Sequence, residues 1–271
     1  MKNNLAGMLA LVTGASSGIG RQFAVELALM GADVLLVSNQ EKELAETASM
    51  LASMCGDDER QFKTLCIDLT RDDAASEVFG FCQGNGLNVD ILINNAGIFS
   101  FREITDTTSE RIGMFVDLHV RAVTNLCRMF AIDMKSRDCH GYILNMSSMA
   151  CWMPMPGIAM YSATKAYIRV FSRSLNVELA DSGITVMAAC PGGIATDLFG
   201  LPSNLQRLGV ALGVLCTPER FVHMALKRLL KRRHQYVNGL VNRLAILFIS
   251  ILPDRVRLIV KHKLLDKNVK R

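Results

Sequence analysis

No two of the eight cysteines in this 271-residue chain are spaced C-x-x-C, and none clusters with a histidine. A disulfide framework and a zinc site are therefore not expected, and no metal is expected at all. The thiols read instead as reduced and buried, several of them within apolar runs, as at Cys66 and Cys190. Long hydrophobic runs are also missing. The first apolar stretch, Met8 to Val12, is too short for a signal sequence. Leu244 to Leu252 is far shorter than the ~20 residues that cross a bilayer. A cytoplasmic protein is expected. Aromatic residues are scarce, at 6% with a single tryptophan, so the basic residues have no stacking platform and nucleic acid is not an expected partner. No linker and no internal repeat divides the chain.

Charge is plentiful but unevenly placed. Residues 227–271 hold thirteen Lys/Arg against two Asp, a local charge of +11 within a chain whose net charge is +5. Within 240–271, Arg255, Arg257, Lys261 and Lys263 alternate with Val256, Leu258, Ile259, Val260, Leu264 and Leu265. This basic amphipathic C-terminal extension is expected to lie on an anionic membrane surface. A subunit-packing helix and a clamp for an acidic ligand are the alternatives.

Strand-like and helix-like segments alternate along the whole chain. Met8-Leu9-Ala10-Leu11-Val12 reads as a buried parallel strand and runs into Thr13-Gly14-Ala15-Ser16-Ser17-Gly18-Ile19-Gly20. A helical pattern follows, up to a stop at Gly31. Strand, glycine loop and helix in succession set a pyrophosphate on helix N-terminal amides; a plain tight turn is the rival reading. No lysine follows Gly20, which excludes a nucleotide-triphosphate loop. Further strands are expected at Asp33–Ser38, Phe62–Ile67, Val89–Ile93, Tyr142–Met146 and Ile184–Ala189, with a short seventh around Gln235-Tyr236-Val237. Thr108 to Lys135 carries one long helical pattern whose broad apolar face suits a homodimer or homotetramer. Asp68, after the third strand, reads as a possible cap for the next helix. The whole is expected to be one α/β domain, a doubly wound Rossmann-type parallel sheet of about seven strands with helices on both faces.

At the end of the second strand stand Ser38, Asn39 and Gln40, neither acidic nor basic. An acid there accepts the ribose 2′-hydroxyl of NAD, whereas a base meets the 2′-phosphate of NADP. With no acid to repel phosphate, and with Arg21 and Lys42 to lend positive charge, NADP(H) is slightly favoured over NAD(H).

The chemistry is expected near the middle of the chain. Tyr161 and Lys165 are four residues apart and share one helix face, while Ser148 closes the fifth strand thirteen residues earlier. A free phenol titrates near ~10, and a neighbouring ammonium lowers that value toward neutral pH. A serine hydroxyl can hydrogen-bond a carbonyl oxygen that gains charge. The trio suits interconversion of a ketone and a secondary alcohol, provided another group carries the hydride.

In order along the chain, Thr13-Gly14-x-x-x-Gly18-x-Gly20, Asp68, Asn94-Asn95-Ala96-Gly97, Ser148, Tyr161-x-x-x-Lys165 and Pro191-Gly192-x-x-x-Thr196 resemble the motifs of the short-chain dehydrogenase/reductase family. The resemblance covers roughly residues 7–200, and lies toward the branch acting on lipid 3-oxoacyl groups and hydroxysteroids. It implies a nicotinamide cofactor, with Tyr161 as acid/base, Ser148 orienting the carbonyl and Lys165 binding the ribose. It also implies a cofactor site drawn from Gly14, Ser16, Ser17, Gly18, Ile19, Gly20, Ser38, Asn39, Asp68, Leu69, Asn95, Ala96, Gly97, Tyr161, Lys165, Pro191, Gly192, Ile194 and Thr196. His119 occupies the position where the family usually has a catalytic asparagine; a proton relay and a local hydrogen bond are both open to it. Residues 197–216 correspond to the family's substrate lid. Met149, Cys151, Trp152, Met153, Met155 and Met160 suggest a hydrophobic substrate. A long-chain 3-oxoacyl thioester, a keto-sphingoid base or a steroid is expected. The alternatives are oxidation of a hydroxysteroid with NAD and a catalytically idle, cofactor-binding scaffold.

Overall fold

The computed structural model describes residues 5–56, 60–194 and 215–264. Strands β1 (Leu9–Thr13), β2 (Asp33–Ser38), β3 (Phe62–Cys66), β4 (Val89–Asn94), β5 (Tyr142–Met146), β6 (Thr185–Ala189) and β7 (Gln235–Tyr236) form one sheet in the order β3-β2-β1-β4-β5-β6-β7. Every neighbouring pair is parallel. The central strands are almost continuously apolar because helices cover both faces and leave no strand side in water.

On one face, Phe23 and Leu27 of α1 (Gly18–Leu29) and Leu44 and Leu51 of α2 (Glu41–Cys55) pack with Phe221 and Leu226 of α7 (Pro218–Leu229). The other face is covered by α3 (Ala74–Gly84), α5 (Val123–Ser136) and α6 (Ala159–Glu178), which contribute Val78, Leu126, Phe130 and Ile168. The strand order reverses between β1 and β4, and the crevice above their carboxyl ends is where open α/β sheets bind ligands.

Three details depart from the sequence reading. Cys66 is exposed, because β3 is an edge strand paired only with β2. The long helical pattern is interrupted: α4 (Ser109–Val116) passes through a π-helical turn, Asp117–Ala122, before α5. The extra residue per turn brings Leu118, His119 and Ala122 inward together. Asp68 does not cap α3, which starts at Ala74 behind Asp73; its carboxylate accepts from the Thr70 amide and hydroxyl, both at 2.9 Å. Beyond β7 the chain forms α8 (Leu240–Ser250) and α9 (Asp254–Leu264), separated at Pro253. Among the described residues no helix is long and apolar enough to cross a membrane. The expected lid lies outside the described residues, except for its last two positions, 215 and 216.

Candidate active site

The floor of the site is a junction between the ends of β1 and β4. The Thr13 hydroxyl accepts the amides of Asn95 and Ala96 at 2.9 and 3.0 Å, and the Asn95 side chain donates back to the Thr13 carbonyl at 3.0 Å. Asn95 thereby fixes the glycine loop that it faces. Gly20 must lack a side chain, since a Cβ there would fall 2.0 Å from the Gly14 carbonyl oxygen. Gly18 has φ +53°, and a Cβ on it would meet nothing within 4 Å, so the space over the start of α1 is open. An anion placed there meets the free amides of the helix.

At the end of β2 the Ser38 hydroxyl donates to Ser16 Oγ at 2.9 Å, and Ser16 donates to Gln40 Oε1 at 2.9 Å. Behind them Arg21 is anchored on the Ser16 carbonyl and on Thr47 Oγ1. The corner thus has the Arg21 cation behind it, while the Asp68 carboxylate lines the same cavity beyond β3.

The reactive end is built where β5 and β6 stop. The Ser147 amide continues the ladder to the Ala189 carbonyl at 2.8 Å, and its hydroxyl donates to the Lys165 carbonyl at 2.7 Å, locking α6 against the sheet. Ser148 caps the short 3₁₀ turn Met149–Trp152, accepting the Ala150 amide at 3.1 Å. Lys165 is buried and donates to the Met146 carbonyl at 2.8 Å; its Nζ lies 5.7 Å from the centre of the Tyr161 ring. Phe99 meets the same ring edge-on at 5.1 Å.

The electrostatics differ from expectation at one point. Burial raises the Tyr161 phenol above its ordinary value, and the Ser148 hydroxyl pulls it only part of the way back. Lys165 was expected to lower it, but its charge lies over the ring and is itself costly to bury. Burial brings the Lys165 ammonium down to about 8. At neutral pH the pair is a protonated phenol beside a charged lysine.

His119 is fully buried behind the site. Its Nε2 accepts the Ile98 amide at 3.1 Å, so the proton sits on Nδ1, which faces Thr164 Oγ1 at 2.9 Å. Burial, then Lys165 and Arg111, hold the ring well below its ordinary value and keep it neutral. Both nitrogens are thus taken by groups that hold the Gly97-Ile98 segment against α6.

One cavity of about 560 Å³ gathers these parts. Its walls include every residue expected at the cofactor site except Thr196, which lies outside the described residues. Ser148, Tyr161 and Lys165 line it; His119 backs it. Sequence reasoning missed Ser147, Ile98, Met114 and Leu118 as wall residues and Thr13 as the floor clamp. Ser147, Ile98 and Thr13 each stood beside a residue already singled out; Met114 and Leu118 depend on the path of the helix through the π turn, which leaves no local signal. None of the six residues expected at a hydrophobic substrate wall lines this cavity. Met160 packs beside Tyr161, whereas Cys151 and Trp152 turn toward Cys190, Val237 and Ile246 of α8.

The comparisons agree with this architecture. Residues 8–203 match the family model for short chain dehydrogenases. The 17-beta-hydroxysteroid dehydrogenase type 3 of Danio rerio is 31% identical over 230 residues, covering 82% of this chain and 70% of that protein. The very-long-chain 3-oxoacyl-CoA reductase-A of the same fish is 32% identical over 196 residues, covering 71% of this chain and 60% of that protein. A solved short-chain dehydrogenase from Sphingobium yanoikuyae, in complex with NADPH, superposes with a TM-score of 0.77 at 30% identity, covering 93% of this chain and 94% of that one.

Proposed function

The chain belongs to the short chain dehydrogenase family, and on that premise we propose that it uses NADPH to reduce the ketone of a hydrophobic substrate to a secondary alcohol. The observation that carries this reading is the single cavity joining the glycine loop to Ser148, Tyr161 and Lys165. Its residues fit a dinucleotide: an open cradle over Gly18, a polar corner at Ser16, Ser38 and Gln40, and a reactive end at Tyr161. The bound nicotinamide supplies the hydride.

The chain itself supplies the proton and the positioning. Ser148 holds the carbonyl oxygen, and Tyr161 gives its phenolic proton to that oxygen as charge develops. The raised phenol is held in its acid form at neutral pH, ready to give a proton. Lys165, charged below about 8, steadies the phenolate left behind. His119 acts as a neutral clasp that positions Ile98 and α6, with the π turn delivering it. NADPH is favoured over NADH by the uncharged Ser38-Asn39-Gln40 corner with Arg21 behind it. The names of the relatives support a long-chain 3-oxoacyl or steroid ketone as substrate. The test is turnover of such ketones with NADPH by the wild type and by Tyr161→Phe. The variant should lose turnover while binding cofactor as before; equal turnover by both would refute the mechanism.

The C-terminal segment supports a second proposal, docking on an anionic membrane surface. On α8 and at its C-cap, Leu240, Leu244, Leu247, Phe248 and Ile251 recur at helical spacing and are 48–77% exposed. Val256, Leu258 and Ile259 on α9 are exposed as well, among arginines. An apolar face edged with positive charge suits the headgroup layer.

A further inference from the structure

We propose that Cys151 and Cys190 form a redox-modification site, a dithiol that hydroperoxides convert to a disulfide, switching turnover off. Cys151 lies on the 3₁₀ turn three residues past Ser148, and Cys190 stands one residue before Pro191-Gly192. The sheet brings these segments together. Met146 pairs with Ala189, and the ladder continues through the Met149 amide to the Pro191 carbonyl at 2.8 Å. Both side chains belong to one small cluster with Val237 and Ile246, the Cys151 side chain packing against the buried Cys190 group.

The two sulfurs are not equivalent. Cys190 is fully buried, whereas Cys151 is half-buried and within reach of a small oxidant. The interaction between the two neighbouring thiols holds that of Cys151 below its ordinary value and pushes that of Cys190 well above. Arg169, whose guanidinium lies 4.8 Å over the Trp152 ring, adds positive charge near both. Its Nε is buried with no acceptor, an orphan donor beside a site that gains negative charge. By contrast, Cys82 and Cys127 are buried in the other core cluster, away from this pair, and burial pushes both up to about 12.

The chemistry balances in two steps. The Cys151 thiolate attacks the hydroperoxide; an S–O bond forms, the O–O bond breaks and an alcohol or water leaves. The Cys190 thiol then attacks the sulfenic sulfur; the S–S bond forms, the S–O bond breaks and water leaves. The sulfurs give up two electrons and the peroxide is reduced. The new bond closes a loop containing α6, with Tyr161 and Lys165 on it. Drawing the two sulfurs together to a bond of about 2 Å pulls the Ser148 turn against Pro191-Gly192, so the reactive end of the cavity distorts.

The experiment treats the full-length protein with hydrogen peroxide and follows intact mass, a non-reducing peptide map and NADPH-dependent turnover. The mass and the map do not depend on the proposed function, so they separate failure of this site from failure of that reading. The expected result is loss of two hydrogens, a linked 151–190 peptide, and loss of turnover that dithiothreitol restores. Cys151→Ser and Cys190→Ala, each compared with its own untreated rate, should resist the same dose; either one suffices if the other does not fold. A dose that oxidises exposed Cys66 without linking 151 to 190 would overturn the proposal. So would equal loss of turnover in the wild type and both variants.

Discussion

Lys165→Met should make the protein more stable while abolishing its turnover. The ammonium is buried, and its one hydrogen bond among the described contacts is to the Met146 carbonyl. Its proton affinity falls from the ordinary 10.5 to about 8. At about 1.4 kcal/mol per tenfold change, keeping it ionised costs the folded state roughly 3 kcal/mol at neutral pH. The unfolded chain binds the proton more tightly, so this cost is complete below about 8. It is relieved as pH rises from about 8 to 10.5, and stability should climb across that window. Methionine has a similar length, removes the charge, and leaves the Met146 carbonyl unpaired at about 1 kcal/mol. The net gain at pH 7 is about 2 kcal/mol, or roughly 4 °C in Tm for a chain of this size. Thermal melts of wild type and variant at pH 7 and pH 10 read both effects: the gap should be wide at pH 7 and close at pH 10. A variant that melts lower than wild type at pH 7, with a wild type insensitive to pH between 8 and 10, would refute the burial argument.

Three further outcomes follow from other parts of the molecule. Asn39→Asp places a carboxylate beside the Ser16-Ser38 corner and should turn the NADPH preference toward NADH by about tenfold or more, read from the ratio of kcat/KM values; an unchanged ratio would mean the 2′ end binds elsewhere. His119→Ala leaves the Ile98 amide and Thr164 without their partner, and should lower kcat, while wild-type kcat shows no inflection between pH 5 and 7 because the ring stays neutral; a wild-type inflection in that range, absent from the variant, would restore a relay role. Phe248→Glu puts charge on the exposed face of α8 without touching the cavity, and should weaken sedimentation with anionic liposomes while sparing turnover; liposome binding equal to wild type would remove α8 from the membrane proposal.

The sheet was legible because its signal is local. Buried parallel strands are runs such as Val34-Leu35-Leu36-Val37, and that one ends at Ser38, on the wall of the cavity. The glycine loop was legible for the same reason, since Gly20 admits no Cβ. What escaped depends on contacts between distant segments. Cys66 looked buried because its strand is apolar, but strand order decides which strand is the edge. The π turn carries no marker in the sequence, yet it sets His119 between Ile98 and Thr164. The Lys165 effect on Tyr161 was argued from proximity alone; burial of both groups outweighs it. The packing of Cys151 and Trp152 against Cys190, Val237 and α8 likewise depends on segments far apart in the sequence.

The decisive measurement uses the chain's one tryptophan, Trp152, as a reporter for dinucleotide binding. Its emission should be quenched saturably by NADPH, with one site per chain and tighter than by NADH, and Tyr161→Phe should titrate as the wild type does. Quenching by none of the four oxidised and reduced dinucleotides would mean that the cavity beneath Gly18 does not hold a nicotinamide cofactor, and the reductase reading would fall with it.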